Sequence, residues 1–359
     1  MKLLDQREII ENVDRKNMFK LIAEFSGQLK HGEEIGKAVS IDSNYAKGSA
    51  EIVFSGLGGS AIGADFIRSY LTYDLTIPIF VNRHYQLPKF VDSKTLLIVS
   101  SYSGETEETL SAFKQGLDAG AKIMAITSGG ELARQARADS FPVITIPGGM
   151  SPRAALGYSV LPILVVLSKL GFSDAYRVQE FKEAQDLMHN LSDTAYGLNI
   201  PFEKNKAKQL ALSCFNNYPI IYSGPDYLDV VALRWRGQIE ENAKALASHH
   251  ILPEMNHNEL VGWKNPADFL KKAVVFILRD SSDHKRVQMR MDLTRKVVSQ
   301  YAHSATELFT QGKSLLARMF SLVHLGDWIS VYLAVLYQVD PTPVEAINYL
   351  KSELAKEPM

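Results

Sequence analysis

The amino-acid sequence predicts an α/β protein in which two similar domains follow one another, each a mainly parallel sheet flanked by helices. The chain has 359 residues, more than one domain usually holds, and 46% of them are hydrophobic, enough for two cores. Short apolar segments alternate with helical patterns, which is typical of parallel sheets covered on both faces. This alternation occurs twice along the chain, so we expect two units of one kind.

The first series of elements follows a leader, residues 1–48, in which charged residues and apolar pairs recur at helical spacing. In order, we expect a strand over 51–54, the turn 55–60, a helix over 61–71, and strands over 77–81, 96–99, 122–126 and 142–146. After the loop 147–153 the chain is strongly helical to about residue 191. Ligands of such sheets bind at the carboxyl ends of the strands, where the glycine-rich and hydroxyl-rich loops lie.

A second series begins near residue 201 and repeats the pattern of the first. The strand 218–222 with its following Ser-Gly pair echoes 50–56, and the strand 272–278 with its helix echoes the segment after residue 94. The turns differ, because Pro-Asp-Tyr (225–227) replaces Gly-Gly-Ser (58–60), and Arg-Asp-Ser-Ser-Asp-His-Lys-Arg (279–286), with two aspartates, replaces SYSGETEET. Acidic groups repel phosphate, so we predict one anion site per chain, in the first domain.

Charge and cysteine content exclude several classes of protein. The formal net charge is −1 and no long run of like charge is present, which argues against a nucleic-acid or membrane partner. The longest apolar run, near 160–167, is too short to span a bilayer. The lone Cys214 lies between apolar residues and is expected to be a buried small hydrophobe. The charged start of the sequence differs from a signal peptide, so we expect a soluble cytoplasmic protein.

Hydroxyl side chains crowd the loop after the third strand, in the stretch SSYSGETEETL (100–110). The first N–H groups of the following helix have no intrahelical partner and favour an anion there. Ser101, Ser103 and Thr106 can therefore surround a phosphate. One hydroxyl acting as a helix N-cap is the alternative, but a cap needs only one such residue.

The turn GLGGSA (56–61) formally fits the dinucleotide pattern, with Asp74 near the distance expected for a ribose contact. Asp74 precedes the second strand instead of ending it, which tells against a nicotinamide cofactor. Gly59 and Ser60 at a helix start can offer N–H groups and a hydroxyl to the same phosphate. A plain strand-to-helix turn is the other interpretation.

Several polar residues outside these loops suit acid–base chemistry. Arg153 follows a glycine-rich loop and can neutralise a phosphate or an oxyanion, although a surface arginine is equally consistent with its position. Acidic, amide and imidazole side chains are dense over 237–259, including Glu241 and His257. No metal-ligand spacing supports a metal at its histidines. Thr342 before a proline predicts the N-cap of a last helix, which carries Lys351.

The most specific signal comes from six segments together. They are GLGGSAIGAD (56–65), SYSGETEETL (101–110), SPR (151–153), GQIEENAK (237–244), LPEMNHNE (252–259) and VDPTPVEAINYLK (339–351). Together they resemble the bifunctional phosphoglucose/phosphomannose isomerases, a family with two sugar-isomerase (SIS) domains in tandem. The resemblance implies two flavodoxin-like three-layer sandwiches, with a helical leader (1–48), a first SIS domain (49–170), a helical linker (171–200), a second SIS domain (201–338) and a C-terminal helical segment (339–359).

The resemblance also implies roles for individual residues. In such enzymes glucose or mannose 6-phosphate and fructose 6-phosphate interconvert through a cis-enediol, without metal or cofactor. The phosphate would lie on Gly59, Ser60, Ser101, Ser103 and Thr106. Glu241 would carry the proton between C1 and C2 while Glu240 points elsewhere, Arg153 would stabilise the enediolate, and His257 and Lys351 would assist ring opening.

The family pattern implies a homodimer in which His257 reaches into the neighbouring subunit. Two other functions stay open on the sequence alone. One is a non-catalytic SIS regulator that binds sugar phosphates, and the other is an aminosugar-phosphate isomerase. A regulator would have no use for Glu241, Arg153 and His257, so their presence favours an enzyme.

Overall fold

The computed structural model describes residues 2–174 and 176–356. Met1, residue 175 of the predicted linker and the last three residues of the predicted C-terminal segment lie outside the described residues. Two parallel sheets, each with helices packed against it, confirm the predicted α/β architecture. The strands are β1 Glu51–Ser55, β2 Ile79–Asn82, β3 Thr95–Ser100, β4 Lys122–Thr127, β5 Val143–Thr145, β6 Tyr218–Ser223, β7 Ser248–Ile251, β8 Ala273–Arg279 and β9 Ser304–Phe309.

Helices make up most of the remaining chain. They are α1 Arg7–Val13, α2 Met18–Ala23, α3 Phe25–Ala38, α4 Gly58–Tyr70, α5 Glu107–Asp118, α6 Gly130–Ala138, α7 Leu156–Lys169, α8 Val178–Leu191, α9 Lys206–Cys214, α10 Asp229–Ala243, α11 Glu259–Gly262, α12 Ala267–Leu270, α13 Lys285–Val298, α14 Leu315–Tyr337 and α15 Glu345–Leu354. Short 3₁₀ helices lie at Lys2–Asp5, Pro152–Ala154, Phe202–Lys204 and Glu254–His257, and one π turn at Ser192–Tyr196.

The order of the strands explains where a ligand can bind. The first sheet has the order β2-β1-β3-β4-β5 and the second β7-β6-β8-β9, so both begin with the same crossover. This shared order fits the duplication inferred from the sequence. In the first sheet the direction of winding reverses between β1 and β3, which pair in parallel from Glu51 opposite Thr95 to Ser55 opposite Val99. Their carboxyl ends therefore form the switch point at which such sheets bind ligands.

The leader helices belong to the core of the protein. α3 packs against α7 and α8, and α2 packs against α14. A Cβ on Gly32 would lie 2.8 Å from the carbonyl oxygen of Gly157, and one on Gly36 would lie 2.7 Å from the Cβ of Val165. These two glycines, four residues apart on one helix face, let the backbones of α3 and α7 approach closely.

The apolar helix α14 lies at the centre of the chain's largest hydrophobic cluster. By length and composition it is the one described helix that could cross a membrane, but 94% of its apolar window is buried inside the protein. Such burial is typical of a core helix. It packs against α8, α9 and α10, so it joins the linker to the second domain. Cys214 is fully buried, as predicted.

Polar contacts also join the two domains. Asp229, at the start of α10, accepts hydrogen bonds from Arg68 Nη2 (2.5 Å) and Ser69 Oγ (2.7 Å) of α4. The N-terminal part of α10 is thereby held against the helix that follows the first glycine-rich turn. Because Arg68 and Ser69 lie at the C-terminal end of α4, α10 runs back along α4, and its own C-terminal half, with the polar stretch, lies beside Gly58 and Gly59.

Candidate active site

A cavity of about 940 Å³ opens where the two domains and the C-terminal segment meet. The first domain contributes the start of α4, Arg83 and Arg153, the second contributes the face of α10 that carries Glu240 and Glu241, and the C-terminal segment contributes residues from 339 to 347. The volume is within the range of small-molecule sites, so the cavity is the first candidate for a substrate site.

Arg153 lies at the back of this cavity with its guanidinium fixed on three sides. Nε donates to Asn242 Oδ1 (2.6 Å), and Nη2 donates to the carbonyl oxygens of Pro341 (2.6 Å) and Thr342 (3.1 Å). Nη1 donates to Glu241 Oε2 (3.2 Å). Four of the five N–H groups of this arginine donate to described residues, so within that part of the chain one N–H on Nη1 has no acceptor and is available to a ligand.

The Arg153 side chain is only 6% exposed, which rejects the alternative of an ordinary surface arginine, whereas that of Glu241 is 34% exposed. Burial lowers the pKa of Arg153, and the negative charge of Glu241 opposes that shift. An arginine nevertheless stays protonated. The site therefore holds a fixed positive charge beside a carboxylate that can reach a ligand.

Glu240 and Glu241 are neighbours on α10 with different partners. The carboxylate of Glu240 lies 3.7 Å from Arg236 Nε, while that of Glu241 faces Arg153. Adjacent positions on a helix point in different directions, so the two glutamates have different partners. Both nevertheless line the cavity. Burial raises the pKa of Glu240, and Arg236 opposes the shift.

The hydroxyl-rich loop is organised by its own hydrogen bonds. Ser101 Oγ lies 2.9 Å from Thr106 Oγ1 and accepts from the backbone N–H of Gly104 (3.1 Å). Ser103 Oγ accepts from the N–H of Glu105 (3.2 Å). Thr106 is the N-cap residue of α5 but makes no side-chain cap bond. The simple capping alternative is therefore not realised by this residue.

The two predicted phosphate loops lie side by side. Ser60 Oγ accepts a hydrogen bond from the N–H of Tyr102, 3.2 Å away. Gly59 lines the cavity, and a Cβ on it would lie 2.8 Å from the carbonyl oxygen of Pro152, the residue before Arg153. Only glycine permits this approach. Of the five predicted phosphate residues only Gly59 lines the cavity, whereas Ser60, Ser101, Ser103 and Thr106 lie behind it.

The structure leaves His257 and Lys351 away from the cavity of their own chain. His257 is exposed at the end of the 3₁₀ helix Glu254–His257, and the side chain of its neighbour Asn256 donates to Thr294 Oγ1 (2.9 Å) on α13. Lys351 is exposed on α15, whose first turn lines the cavity. Neither side chain contacts Glu241 or Arg153 among the described hydrogen bonds and ion pairs.

The prediction that Thr342 caps the last helix is wrong. α15 begins at Glu345, and its N-cap position is Val344. The backbone N–H of Thr342 instead donates to Asp340 Oδ1 (2.9 Å), and its carbonyl accepts from Arg153. These two contacts hold residue 342 in a turn before the helix, with its Oγ1 buried and unpaired within the described chain.

The equivalent turns of the second domain are occupied by carboxylates. Asp280 accepts from Arg318 Nε (2.9 Å) and Thr310 Oγ1 (2.8 Å), and Asp226 accepts from Tyr73 OH (2.6 Å). Burial raises the pKa of Asp283 to about 6. This arrangement supports the prediction that the second domain has no anion site of its own.

Residue chemistry alone missed two cavity cations, Arg83 and Lys244. Arg83 pairs with Asp65 of α4, and Lys244 Nζ donates to the carbonyl oxygens of Glu241 (2.6 Å) and Pro341 (2.9 Å). Burial and the charge of Arg153 lower the pKa of Lys244 to about 8. The only signal for Lys244 was its place in the polar stretch after residue 237.

Comparison with known proteins places these features in a family. Residues 47–170 match the model of the SIS domain, and residues 203–354 match that of the bacterial phospho-glucose isomerase C-terminal SIS domain. The chain is 45% identical over 339 residues to a bifunctional phosphoglucose/phosphomannose isomerase of Caldicellulosiruptor bescii, covering 94% of this chain and 99% of the relative. This chain belongs to that family.

Other relatives agree with this membership. An enzyme of the same name from Aquifex aeolicus is 38% identical, with 95% of this chain and 99% of the relative covered. Among solved structures, a hypothetical protein of Thermus thermophilus superposes with a TM-score of 0.73 at 14% identity, covering 98% of this chain and 93% of that one. The structural likeness shows that the two chains share a fold over nearly their whole length.

In this member of the family, the described residues contain no group of three or more His, Cys, Asp or Glu side chains placed to hold a metal ion. The cavity is lined by cations, by backbone groups and by four acidic residues, which are Glu240, Glu241, Glu345 and Asp340. The chemistry that these groups support is proton transfer beside a stabilised negative charge.

Proposed function

We propose that the protein interconverts glucose 6-phosphate or mannose 6-phosphate with fructose 6-phosphate through a cis-enediol(ate), without metal or cofactor. The observation that carries this proposal is the pair formed by Glu241 and buried Arg153, 3.2 Å apart on a cavity whose wall continues to Gly59. A carboxylate beside a fixed cation is what proton abstraction next to a carbonyl requires. Membership of the isomerase family supports the same reaction.

The 6-phosphate is proposed to lie on Gly59, Ser60, Ser101, Ser103 and Thr106. The first turn of α5 supports this anchor, because the N–H groups of Glu107 and Glu108 have no hydrogen-bond acceptor among the described residues. Such N–H groups and the helix dipole favour an anion. The anchor would leave C1 and C2 to extend past Gly59 toward Arg153.

Loss of one anchoring hydroxyl should weaken substrate binding more than chemistry. In Thr106→Val we expect KM to rise about 10- to 150-fold, because a hydrogen bond to a charged group contributes about 1.5–3 kcal/mol. kcat should change by less than about threefold. The control is Ser111→Ala, one turn further along α5, where the hydroxyl donates to the Tyr85 carbonyl (2.9 Å). Steady-state kinetics with equal KM in both variants would contradict the anchor.

The proton transfer would be carried by Glu241. Its carboxylate takes the proton from C2 of the open-chain aldose, the electron pair forms the C1–C2 double bond, and the carbonyl oxygen becomes an enediolate. Arg153 stabilises that oxygen through the free N–H on Nη1. Return of the same proton to C1, together with transfer of the hydroxyl proton from O2 to O1, gives the ketose with its carbonyl at C2. The C2 epimers glucose and mannose 6-phosphate lead to one enediol, which accounts for a bifunctional enzyme.

Ring opening is proposed to use His257 and Lys351, with His257 supplied by the second subunit of a homodimer. His257 is exposed and lies outside its own cavity. Exposed apolar residues lie on the neighbouring helices, Val261 (75% exposed) on α11 and Leu293 (54%) on α13. α15 also exposes Ile347, Leu350 and Leu354 on one face. Exposed apolar side chains near His257 and on α15 are consistent with a subunit interface. We propose that the dimer acts in the cytoplasm.

The direct test is a coupled assay with both hexose phosphates, repeated after treatment with a chelator. We expect both substrates to yield fructose 6-phosphate, with rates unchanged by the chelator. Turnover of glucose 6-phosphate alone would refute the bifunctional proposal, and loss of activity on chelation would refute the metal-independent mechanism. Turnover of glucosamine 6-phosphate in place of both hexose phosphates would favour an aminosugar isomerase.

A further inference from the structure

A buried polar stripe lies behind Arg153 and has no role in the proposed chemistry so far. On α10 it consists of Arg234, Gln238 and Asn242, spaced four residues apart and therefore on one face of the helix. On α14 it consists of Asp327 and Ser330. All five are at most 5% exposed. Such residues are rarely buried unless each has a specific partner.

Asp327 is the anchor of this stripe. It accepts from Arg234 Nη2 (2.8 Å) and Nε (3.2 Å), and also from Gln238 Nε2 (2.7 Å). Burial raises the pKa of Asp327, and Arg234 opposes that shift. A buried ion pair adds little net stability, because the cost of desolvating two charges offsets their attraction. The main effect of the Arg234–Asp327 pair is therefore to fix the positions of the residues around it.

The stripe holds Arg153 both by its backbone carbonyl and by its guanidinium. The backbone carbonyl of Arg153 accepts from Arg234 Nη2 (2.9 Å) and Gln238 Nε2 (3.3 Å). Its guanidinium Nε donates to Asn242 Oδ1 (2.6 Å). The Asn242 amide is oriented in turn, because its Nδ2 donates to Ser330 Oγ (2.9 Å) and lies 3.4 Å from Gln238 Oε1.

We propose that Asn242, oriented by Ser330 and Gln238, is a positioning residue that fixes the rotation of the Arg153 guanidinium. With Nε bound to Asn242 and Nη2 bound to two carbonyls, Nη1 is the part of the group that faces Glu241. The remaining N–H of Nη1 is then held in one orientation. It points to the place where the enediolate oxygen of the proposed reaction develops. This inference rests on the proposed isomerase function.

The test is a double-mutant cycle between Asn242 and Arg153, measured by steady-state kinetics. In the wild-type background, Asn242→Ala should lower kcat about 10- to 100-fold, since a misplacement of about 1 Å can have an effect of that size. KM should stay within about threefold, because the phosphate anchor is untouched. In the Arg153→Lys background the same substitution should lower kcat less than about threefold, since a lysine has no Nε–H for Asn242 to hold.

A second pair of variants covers the case in which Asn242→Ala fails to fold. Ser330→Ala removes the partner of the Asn242 amide, and should lower kcat about three- to tenfold in the wild-type background and have little effect with Arg153→Lys. The matched control is Ser321→Ala, a buried serine of the same helix whose hydroxyl donates to the Arg318 carbonyl (2.7 Å). It should leave kcat unchanged in both backgrounds.

Different results would overturn the positioning role of Asn242 and the proposed isomerase function. Equal losses of kcat in both backgrounds would overturn the positioning role, as would an unchanged kcat in a folded Asn242→Ala or Ser330→Ala protein. Absence of isomerase activity in the wild-type protein would instead overturn the proposed function. Thermal unfolding of each variant shows whether a loss of kcat belongs to folded protein.

Discussion

Replacement of Glu241 by glutamine is expected to lower kcat about 10²- to 10⁴-fold for both hexose phosphates, the range that general acid–base catalysis contributes. The amide is nearly the same size as the carboxylate and can still accept from Arg153 Nη1, so the fold and the cavity should persist. Because the phosphate anchor is remote from Glu241, binding of fructose 6-phosphate, measured by calorimetry, should change less than about fivefold.

The neighbouring glutamate provides a matched control. Glu240 lies on the same helix and lines the same cavity, but its carboxylate is near Arg236 and not Arg153. Glu240→Gln should therefore keep kcat within about fivefold of the wild-type value. If Glu240→Gln were the inactive variant, or if Glu241→Gln kept full activity, the proton shuttle would be assigned to the wrong residue. A wild-type protein that binds fructose 6-phosphate but has no isomerase activity would favour a sugar-phosphate regulator.

The sheets could be predicted from the sequence because their strands are short apolar runs between strong turn signals. β3 and β8, buried along their whole length, were recognised within one residue at each end. The edge strand β2 was displaced by one to two residues, because its partly exposed residues give a weaker pattern.

The sequence named both residues of the proposed catalytic pair but did not show that they lie together. Arg153 and Glu241 are 88 residues apart, and nothing local in the sequence indicates that their side chains meet. The spacing of Arg234, Gln238 and Asn242 on α10, and two polar residues within the apolar helix α14, were the signals that could have revealed the buried stripe. Thr342 was misassigned because a local capping pattern yielded to tertiary contacts from Arg153.

The duplication gives the two domains unequal tasks in the proposed reaction. The first domain keeps glycines and hydroxyls at the switch point of its sheet, whereas the second fills its equivalent turns with Asp226 and Asp280. The second domain instead contributes the face of α10 that carries Glu241. Neither half therefore holds both the phosphate anchor and the base, and the cavity between them is where the two functions meet.

The second large expected effect tests which subunit supplies His257 to the site. It is measured in mixtures of two variants of low activity. Chains with Glu241→Gln and chains with His257→Ala should each form dimers of low activity. After co-expression in equal amounts, about half of the dimers are mixed. In each mixed dimer, one of the two sites combines native Glu241 with the native His257 of the other chain. We therefore expect about one quarter of wild-type activity in the co-expressed mixture, measured by the coupled assay with light scattering to verify the dimer.

This complementation separates two placements of the histidine that a single substitution cannot. If His257 served the cavity of its own chain, no site in a mixed dimer would hold both native residues, and activity would equal the mean of the two parents. The control mixture pairs Glu241→Gln chains with chains that carry both substitutions, and it should stay inactive under either placement. Because His257 is exposed at the end of a 3₁₀ helix tied to α13 through Asn256, its position is fixed while its imidazole is free to enter a facing subunit. A quarter of the activity in the first mixture alone therefore requires the histidine to cross the interface.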